Sequence, residues 1–360
     1  MVLQIIWYLL VGVIISGYAI LGGYDMGVGC LYLFNKDKKE RAGMIKAIGP
    51  FWDANQVWLI LAGGAIFAAF PFVFATVFSG FYLAMILVLV GLILRTVSIE
   101  FRAQLDTPGW AKIWDLAFGV GSFIPSILLG VAIGNIMRGI PLDAQTNYAG
   151  SFWGLLNPYS LLMGIFSLGL FIMQGSGFLM ITRPLMIKKI QKWAKNAWVC
   201  SIALFAILSV ITLMVYPHLA VNLLAMPVLF IFPLLAFLGL AFYPQSLKSK
   251  GKWRPVITSS VTLLGLVGLV GASLFPRLVP NFNTVDQFTS AFAGSASSVH
   301  LQNSLTAFNA SSSPLTLTVM LIVAGIGVPV MLLYTIYVYS ALSKSGSANQ
   351  ELDKNVKVSV

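Results

Sequence analysis

The stretch Gly22-Gly23-Tyr24-Asp25-Met26-Gly27-Val28-Gly29 lies in an otherwise apolar run from 4 to 33. A run of that length exceeds the roughly 20 residues a helix needs to cross a bilayer. Its carboxylate, Asp25, stands about eight residues from the end of the run, roughly 12 Å deep at 1.5 Å per residue. Gly22, Asp25 and Gly29 share one helix face through their i, i+3 and i+7 spacing. A neighbouring helix can therefore approach closely, and the carboxylate faces protein rather than lipid. The short polar start lacks the basic stretch and small-residue cleavage site of a signal peptide, so this first helix is expected to be retained.

The rest of the chain repeats the pattern. Of 360 residues, 58% are hydrophobic and 9% charged, and the mean hydropathy is +0.90. Soluble domains carry near a quarter charged residues, so a soluble enzyme, a disulfide scaffold and a disordered chain are all excluded. Apolar runs of membrane length fall at about 4–33, 52–71, 74–98, 112–137, 154–182, 197–216, 220–243, 256–275 and 314–341. The expectation is an all-α integral membrane protein of nine transmembrane helices, with 1–360 as one polytopic membrane domain.

The net charge of +11 is a matter of topology. Lys36, Lys38, Lys39, Arg41 and Lys46 follow the first span, and Arg95, Arg102 and Lys112 surround the link after the third. Arg183, Lys188, Lys189, Lys192 and Lys195 follow the fifth, Lys248, Lys250, Lys252 and Arg254 the seventh, and Lys344, Lys354 and Lys357 lie in the tail. Only Arg138 and Arg277 fall on the other side. The positive-inside rule puts the larger group in the cytoplasm, which predicts an external amino terminus and a cytoplasmic carboxyl terminus. A nucleic-acid reading of the charge is thereby set aside. The long external connection, 276–313, is rich in Ser, Asn, Thr and Ala, and is expected to pack on the outer face. Trp52-Asp53 and Trp114-Asp115 open two spans alike, a hint of duplicated architecture.

Cofactor chemistry is sparse. Cys30 and Cys200 have no metal-binding spacing and read as reduced packing residues, while His218 and His300 fall in outer connections. A haem, copper or zinc site needs ligands held on facing helices. Any redox centre is therefore expected in another chain.

Charges inside spans each cost about 2.5–3.5 kcal/mol on insertion scales and demand a reason. Asp25 is one. Gly49-Pro50-Phe51-Trp52-Asp53-Ala54-Asn55-Gln56-Val57-Trp58 opens the second span, with Asp53 in its first turn, where the helix dipole favours a negative charge. Arg95 and Glu100 mark the inner end of the third span, in Leu94-Arg95-Thr96-Val97-Ser98-Ile99-Glu100-Phe101-Arg102. Arg95 needs a carboxylate partner, which Asp25 or Asp53 could supply. The residues support two readings. In one they are structural: an N-cap at Asp53, a register-fixing pair, and solvated Glu100 and Arg102. In the other, carboxylates lead inward from the cytoplasm, with Asp53 and Glu100 at the mouth and Asp25 deeper, and carry protons.

At these residues a resemblance becomes specific. Gly23-Tyr24-Asp25-Met26-Gly27-Val28-Gly29, then Trp52-Asp53-Ala54-Asn55-Gln56-Val57-Trp58-Leu59 running into Gly63-Gly64-Ala65-Ile66-Phe67-Ala68-Ala69-Phe70-Pro71, then Arg95 with Glu100-Phe101-Arg102, resemble the signature blocks of subunit II of cytochrome bd-type quinol oxidases. Gly121-Ser122-Phe123-Ile124-Pro125, Leu156-Asn157-Pro158-Tyr159 and Thr316-Leu317-Thr318-Val319-Met320 extend it over nearly the whole chain. The resemblance implies two four-helix bundles plus one peripheral helix, in a bacterial cytoplasmic (inner) membrane. It implies a partner, subunit I, carrying two b-type haems, one haem d and the quinol site, and leaves open a small single-span accessory subunit. This chain would ligate no cofactor. It would stabilise subunit I and add a proton-uptake path through Asp53, Glu100 and Asp25, supported by Trp52, Asn55, Arg95, Arg102 and Tyr24. Ala54 replaces a common Gly and Tyr24 a common Phe, and the tyrosine hydroxyl is placed to hydrogen-bond Asp25. The rival readings are a secondary transporter with a buried Asp/Arg site and a purely structural scaffold.

Overall fold

The computed structural model describes residues 1–105, 107–249, 251–282 and 304–358, and the side chains of 339 and 341–358 are not described. The helices are α1 (Val2–Phe34), α2 (Lys38–Ile48), α3 (Trp52–Ala69), α4 (Pro71–Gly80), α5 (Tyr82–Phe101), α6 (Pro108–Arg138), α7 (Phe152–Leu155), α8 (Pro158–Thr182), α9 (Ile187–Val215), α10 (Val221–Ala225), α11 (Ile231–Lys248), α12 (Arg254–Leu274) and α13 (Pro314–Val358). Eight spans among the described residues are long and apolar enough to cross a membrane, and the bent pair α3–α4 makes nine.

Helix contacts sort the spans into two groups. One holds α1, α3 with α4, α5 and α6, and the other holds α8, α9, α11 and α12. The two join where α8 packs on α1 and α6 and where α12 packs on α1, while α13 packs on α1 and α3. The bundles come together at a close crossing of α1 and α8, where Gly27 and Gly175 oppose each other backbone to backbone. In lipid, where apolar burial does not drive helix association, such small-residue contacts are what let two helices pack.

Three span boundaries differ from the hydropathy reading. The expected third span, 74–98, merges two helices: α3 ends at Ala69, Phe70 leaves the helical region, and α4 departs at 119° before α5 begins at Tyr82. Pro71 has no N–H to donate and disfavours helix at the residue before it, so the break at Phe70 falls at the expected boundary between 52–71 and 74–98; the break at Phe81, between α4 and α5, lies among apolar residues and leaves no mark in hydropathy. The carbonyls freed at the bend are met from afar: the Ser312 hydroxyl donates to Ala68 O (2.6 Å) and its N–H to Ala69 O (2.9 Å). The expected seventh span, 220–243, starts later, because Pro217 and Pro227 hold 217–230 in short turns before α11. The sixth starts earlier: α9 begins at Ile187, ten residues before the expected 197, through a lysine-rich amphipathic turn.

Asp37 caps α2 by accepting from the Lys39 and Glu40 N–H groups (2.8 and 3.0 Å). Those backbone hydrogen bonds, Glu40's foremost, hold its carboxyl below the usual range. Of the long connection, the ends are described: β1 (Arg277–Val279) pairs antiparallel with β2 (Leu305–Thr306). The remainder, 283–303, lies outside the described residues, as does His300.

Candidate functional site: a buried aspartate–arginine pair

Three helices of the first bundle meet at Asp25. From α1, Asp25 is fully buried (0% exposed), and from α5, Arg95 is 1% exposed. Arg95 Nη2 lies 3.8 Å from Asp25 Oδ2, an ion pair at longer than hydrogen-bonding distance. Of the two partners the sequence offered for Arg95, the structure selects Asp25. From α3, the Asn55 amide donates to both Asp25 Oδ2 (2.8 Å) and the Tyr24 hydroxyl (2.6 Å). Tyr24 thus reaches Asp25 through a shared amide. Its ring is fixed by stacking on Phe178 at 4.2 Å, and Phe51 meets Phe178 edge-on at 6.0 Å.

The site is not saturated. Asp25 Oδ1, Arg95 Nε and Nη2, and the Trp58 indole N–H have no hydrogen-bond partner among the described residues. Buried polar atoms are overwhelmingly paired in folded proteins, and several unpaired together mark a place where water or another chain completes the set.

The other acidic residues of the expected path stand apart from this pair. Asp53 and Glu100 are exposed, at the starting end of α3 and the finishing end of α5, and Trp52 is half-buried. Neither carboxylate forms an ion pair among the described residues, and the capping position of α3 is Phe51, not Asp53. The chemical link to Asp25 is short nonetheless: Asp53 sits in the same first helical turn as Asn55, whose amide touches the buried carboxylate.

A second acidic centre escaped the sequence reading. Asp115 of α6 accepts from Arg41 Nη1 at 3.1 Å, from Arg102 Nε and from the Tyr32 hydroxyl. Arg41 also lies over the Tyr32 ring (5.0 Å) and donates to Asn35 O (2.5 Å). Lys189 of α9 completes the layer, bonding Asn35 Oδ1 (2.7 Å) and Glu40 Oε2 (2.5 Å). So Arg102, solvated in the structural reading of the sequence, belongs to a clamp that ties the ends of α1, α5, α6 and α9 to α2. The repeated Trp-Asp opening was the only signal for it. Asp115→Asn removes the charge shared by two guanidiniums that are about a fifth exposed. It is expected to cost about 1–3 kcal/mol, between surface and buried ion pairs. Thermal melting of the purified protein checks this, with a smaller difference expected in high salt.

Among the described residues no three His, Cys, Asp or Glu side chains stand together in a way that could hold a metal. His218 is buried in the turn before α10, its ring 6.2 Å from that of Tyr216. Cys30 is buried and 3.7 Å from Ser126 Oγ, whereas Cys200 is exposed.

The comparisons agree with this architecture. Residues 3–342 match the family model for cytochrome bd terminal oxidase subunit II. The chain is 37% identical to cytochrome bd-I ubiquinol oxidase subunit 2 of Escherichia coli over 94% of this chain and 93% of that one. It is 35% identical to the probable cytochrome oxidase subunit 2 of Haemophilus influenzae, over 98% and 97%. The fold matches a chain in the structure of bd oxidase from Geobacillus thermodenitrificans with a TM-score of 0.75, covering 95% of this chain and 98% of that one at 17% identity. The nine-span arrangement, the signature blocks around Asp25, Asp53 and Arg95, and these matches have one explanation: the chain belongs to the cytochrome bd terminal oxidase subunit II family, membrane proteins of an oxidoreductase complex.

Proposed function

We propose that this chain stabilises a haem-bearing subunit I and supplies part of the route by which cytoplasmic protons reach the site of oxygen reduction by quinol. The observation that carries the reading is the Asp25–Arg95–Asn55 cluster: a buried carboxylate and its ion-paired guanidinium, each with atoms that have no hydrogen-bond partner among the described residues. A structural pin would be expected to satisfy its own hydrogen bonds, whereas a proton relay needs an open acceptor that a water molecule can reach. The orientation is amino terminus outside and carboxyl terminus inside, which puts Asp53 and Glu100 at the cytoplasmic mouth. Protons enter at these exposed carboxylates and pass along the first turn of α3 to Asp25. Arg95 keeps that charge tolerable in the membrane, and Tyr24, Trp52 and Arg102 hold the surrounding helices in place.

The haems, two b-type and one d-type, are placed in the partner, where they supply the electron transfer. His218, buried in the turn before α10, is the one histidine among the described residues, and a bis-histidine haem site would need a second. A location in the bacterial inner membrane completes the proposal. A transporter with the same buried pair is the alternative. The family match favours the oxidase, since both named relatives are oxidase subunits.

The test uses the whole complex. Asp53→Asn, Glu100→Gln and Asp25→Asn are expected to keep normal haem content while lowering quinol-driven oxygen consumption, about ten- to a hundredfold for Asp25→Asn, in the range lost with a proton-transfer group. Loss of haem in all three, with turnover per haem unchanged, would leave only the scaffold role. Ion flux in liposomes bearing this chain alone would support the transporter.

A further inference from the structure

The charge of this protein is unevenly balanced between its two bundles. Around the first, Asp115 answers Arg41 and Arg102, Asp25 answers Arg95, and Asp37 and Glu40 lie among Lys36, Lys38 and Lys39. Around the second, there is no such answer: from 144 to 285 the sequence contains no Asp or Glu. Lys189 of α9 pairs instead with Glu40 of α2.

The fold gathers these unanswered cations. The Gln191 amide donates to Leu247 O at 2.7 Å, which docks the start of α9 against the end of α11. On α9, Lys188 and Lys195 share the face of Gln191 by i−3 and i+4 spacing, and Lys192 is adjacent. Lys248, Lys252 and Arg254 follow immediately after Leu247. All six are exposed, and none forms an ion pair among the described residues. Large apolar side chains next to these cations in the sequence are exposed: Leu185, three residues before Lys188, is 91% exposed, and Trp253, between Lys252 and Arg254, is 60% exposed. An exposed tryptophan and an exposed aliphatic side chain flanked by lysines is the chemistry of the headgroup layer, not of open water.

We propose that the α9–α11–α12 end of the second bundle is a binding site for the phosphate of an anionic phospholipid. Lys188, Lys192 and Lys248 bind the headgroup, and Leu185 and Trp253 lie against its glycerol and upper acyl region. The lipid supplies the negative charge that this bundle lacks, and it holds the lysine-rich start of α9 against the end of α11. An acidic soluble protein would satisfy the charge but not the exposed leucine and tryptophan, which favours the lipid.

The experiment is native mass spectrometry of the purified complex titrated with phosphatidylglycerol or phosphatidylcholine. The intact complex is expected to retain phosphatidylglycerol in clear preference. Lys188→Gln/Lys192→Gln/Lys248→Gln should weaken that retention about a hundredfold, given the contribution of each lysine near an anionic surface. The matching Lys→Arg triple should retain it, and so should Lys36→Gln/Lys38→Gln/Lys46→Gln on the first bundle. Equal retention of the two lipids, or undiminished phosphatidylglycerol binding in the Gln triple, overturns the proposal. Equal weakening by the first-bundle triple also overturns it, since it would show only a diffuse charge effect. Lipid counts are read without turnover, so this outcome is independent of the proton-path variants.

Discussion

Gly27→Ala, a change of one methyl group, is expected to be among the most damaging substitutions in the protein. A Cβ at Gly27 would lie 1.8 Å from the Phe171 carbonyl oxygen and 2.6 Å from its carbon. Both are backbone atoms of α8, so no rotamer change makes room. The reciprocal position is equally closed, because a Cβ at Gly175 would lie 2.5 Å from Val28 N. Accommodating the methyl requires α1 and α8 to part, and these two helices join the bundles. The cost is expected at the upper end of overpacking, about 3 kcal/mol, with loss of the Asp25 geometry on the far face of α1. The measurement is the fraction of protein remaining monodisperse in detergent after a heating series. Gly63→Ala is the control: nothing lies within 4 Å of its added Cβ, and it should be neutral or slightly stabilising. Equal survival of the two variants would mean that the α1–α8 crossing is not the joint between bundles.

The second large effect concerns the buried pair. Arg95→Met leaves Asp25 with no cation at 0% exposure. Removing one member of a buried pair costs about 3–5 kcal/mol, because the survivor stays desolvated. Asp25→Asn/Arg95→Met removes both charges and should recover most of that loss. The pair is thus expected to show strong coupling in a double-mutant cycle of thermal stability. The cycle also separates function from structure. If the double variant is as stable as the parent but its complex consumes oxygen slowly, Asp25 serves proton transfer. If it is stable and fully active, the pair only sets helix register.

Much of this architecture is legible in the sequence, since spans announce themselves by length and apolarity. The buried environment of Asp25 follows from Gly22 and Gly29, and the need of Arg95 for a counterion narrows its partner to Asp25 or Asp53, of which the structure selects Asp25. What was not legible has a common physical cause. Hydropathy measures the solvent a residue prefers, not the direction of the chain, so the expected boundary at 71–74 gave no hint of the 119° turn at Phe70, and the break at Phe81 inside the expected 74–98 span left no mark. Conversely, α9 looked short because its first ten residues are lysine-rich, although Ile190 and Ala194 are fully buried on its inner face. Asp115 was hidden for another reason. Its partner Arg41 is 74 residues away, and nothing local to Trp114-Asp115 distinguishes a clamp from a helix start.

The buried pair also imposes an order on biogenesis. Asp25 leaves the ribosome about 70 residues ahead of Arg95. At about 5–20 residues per second, that is an interval of roughly 4–14 s. Throughout it, α1 holds a carboxylate whose cation does not yet exist. Asn55 arrives partway through, offering a hydrogen bond but no charge. The first helix is therefore held only provisionally, by the insertion machinery or by a protonated Asp25, until α5 emerges. Commitment of the amino-terminal half to the membrane is then a single event, timed by the synthesis of one arginine.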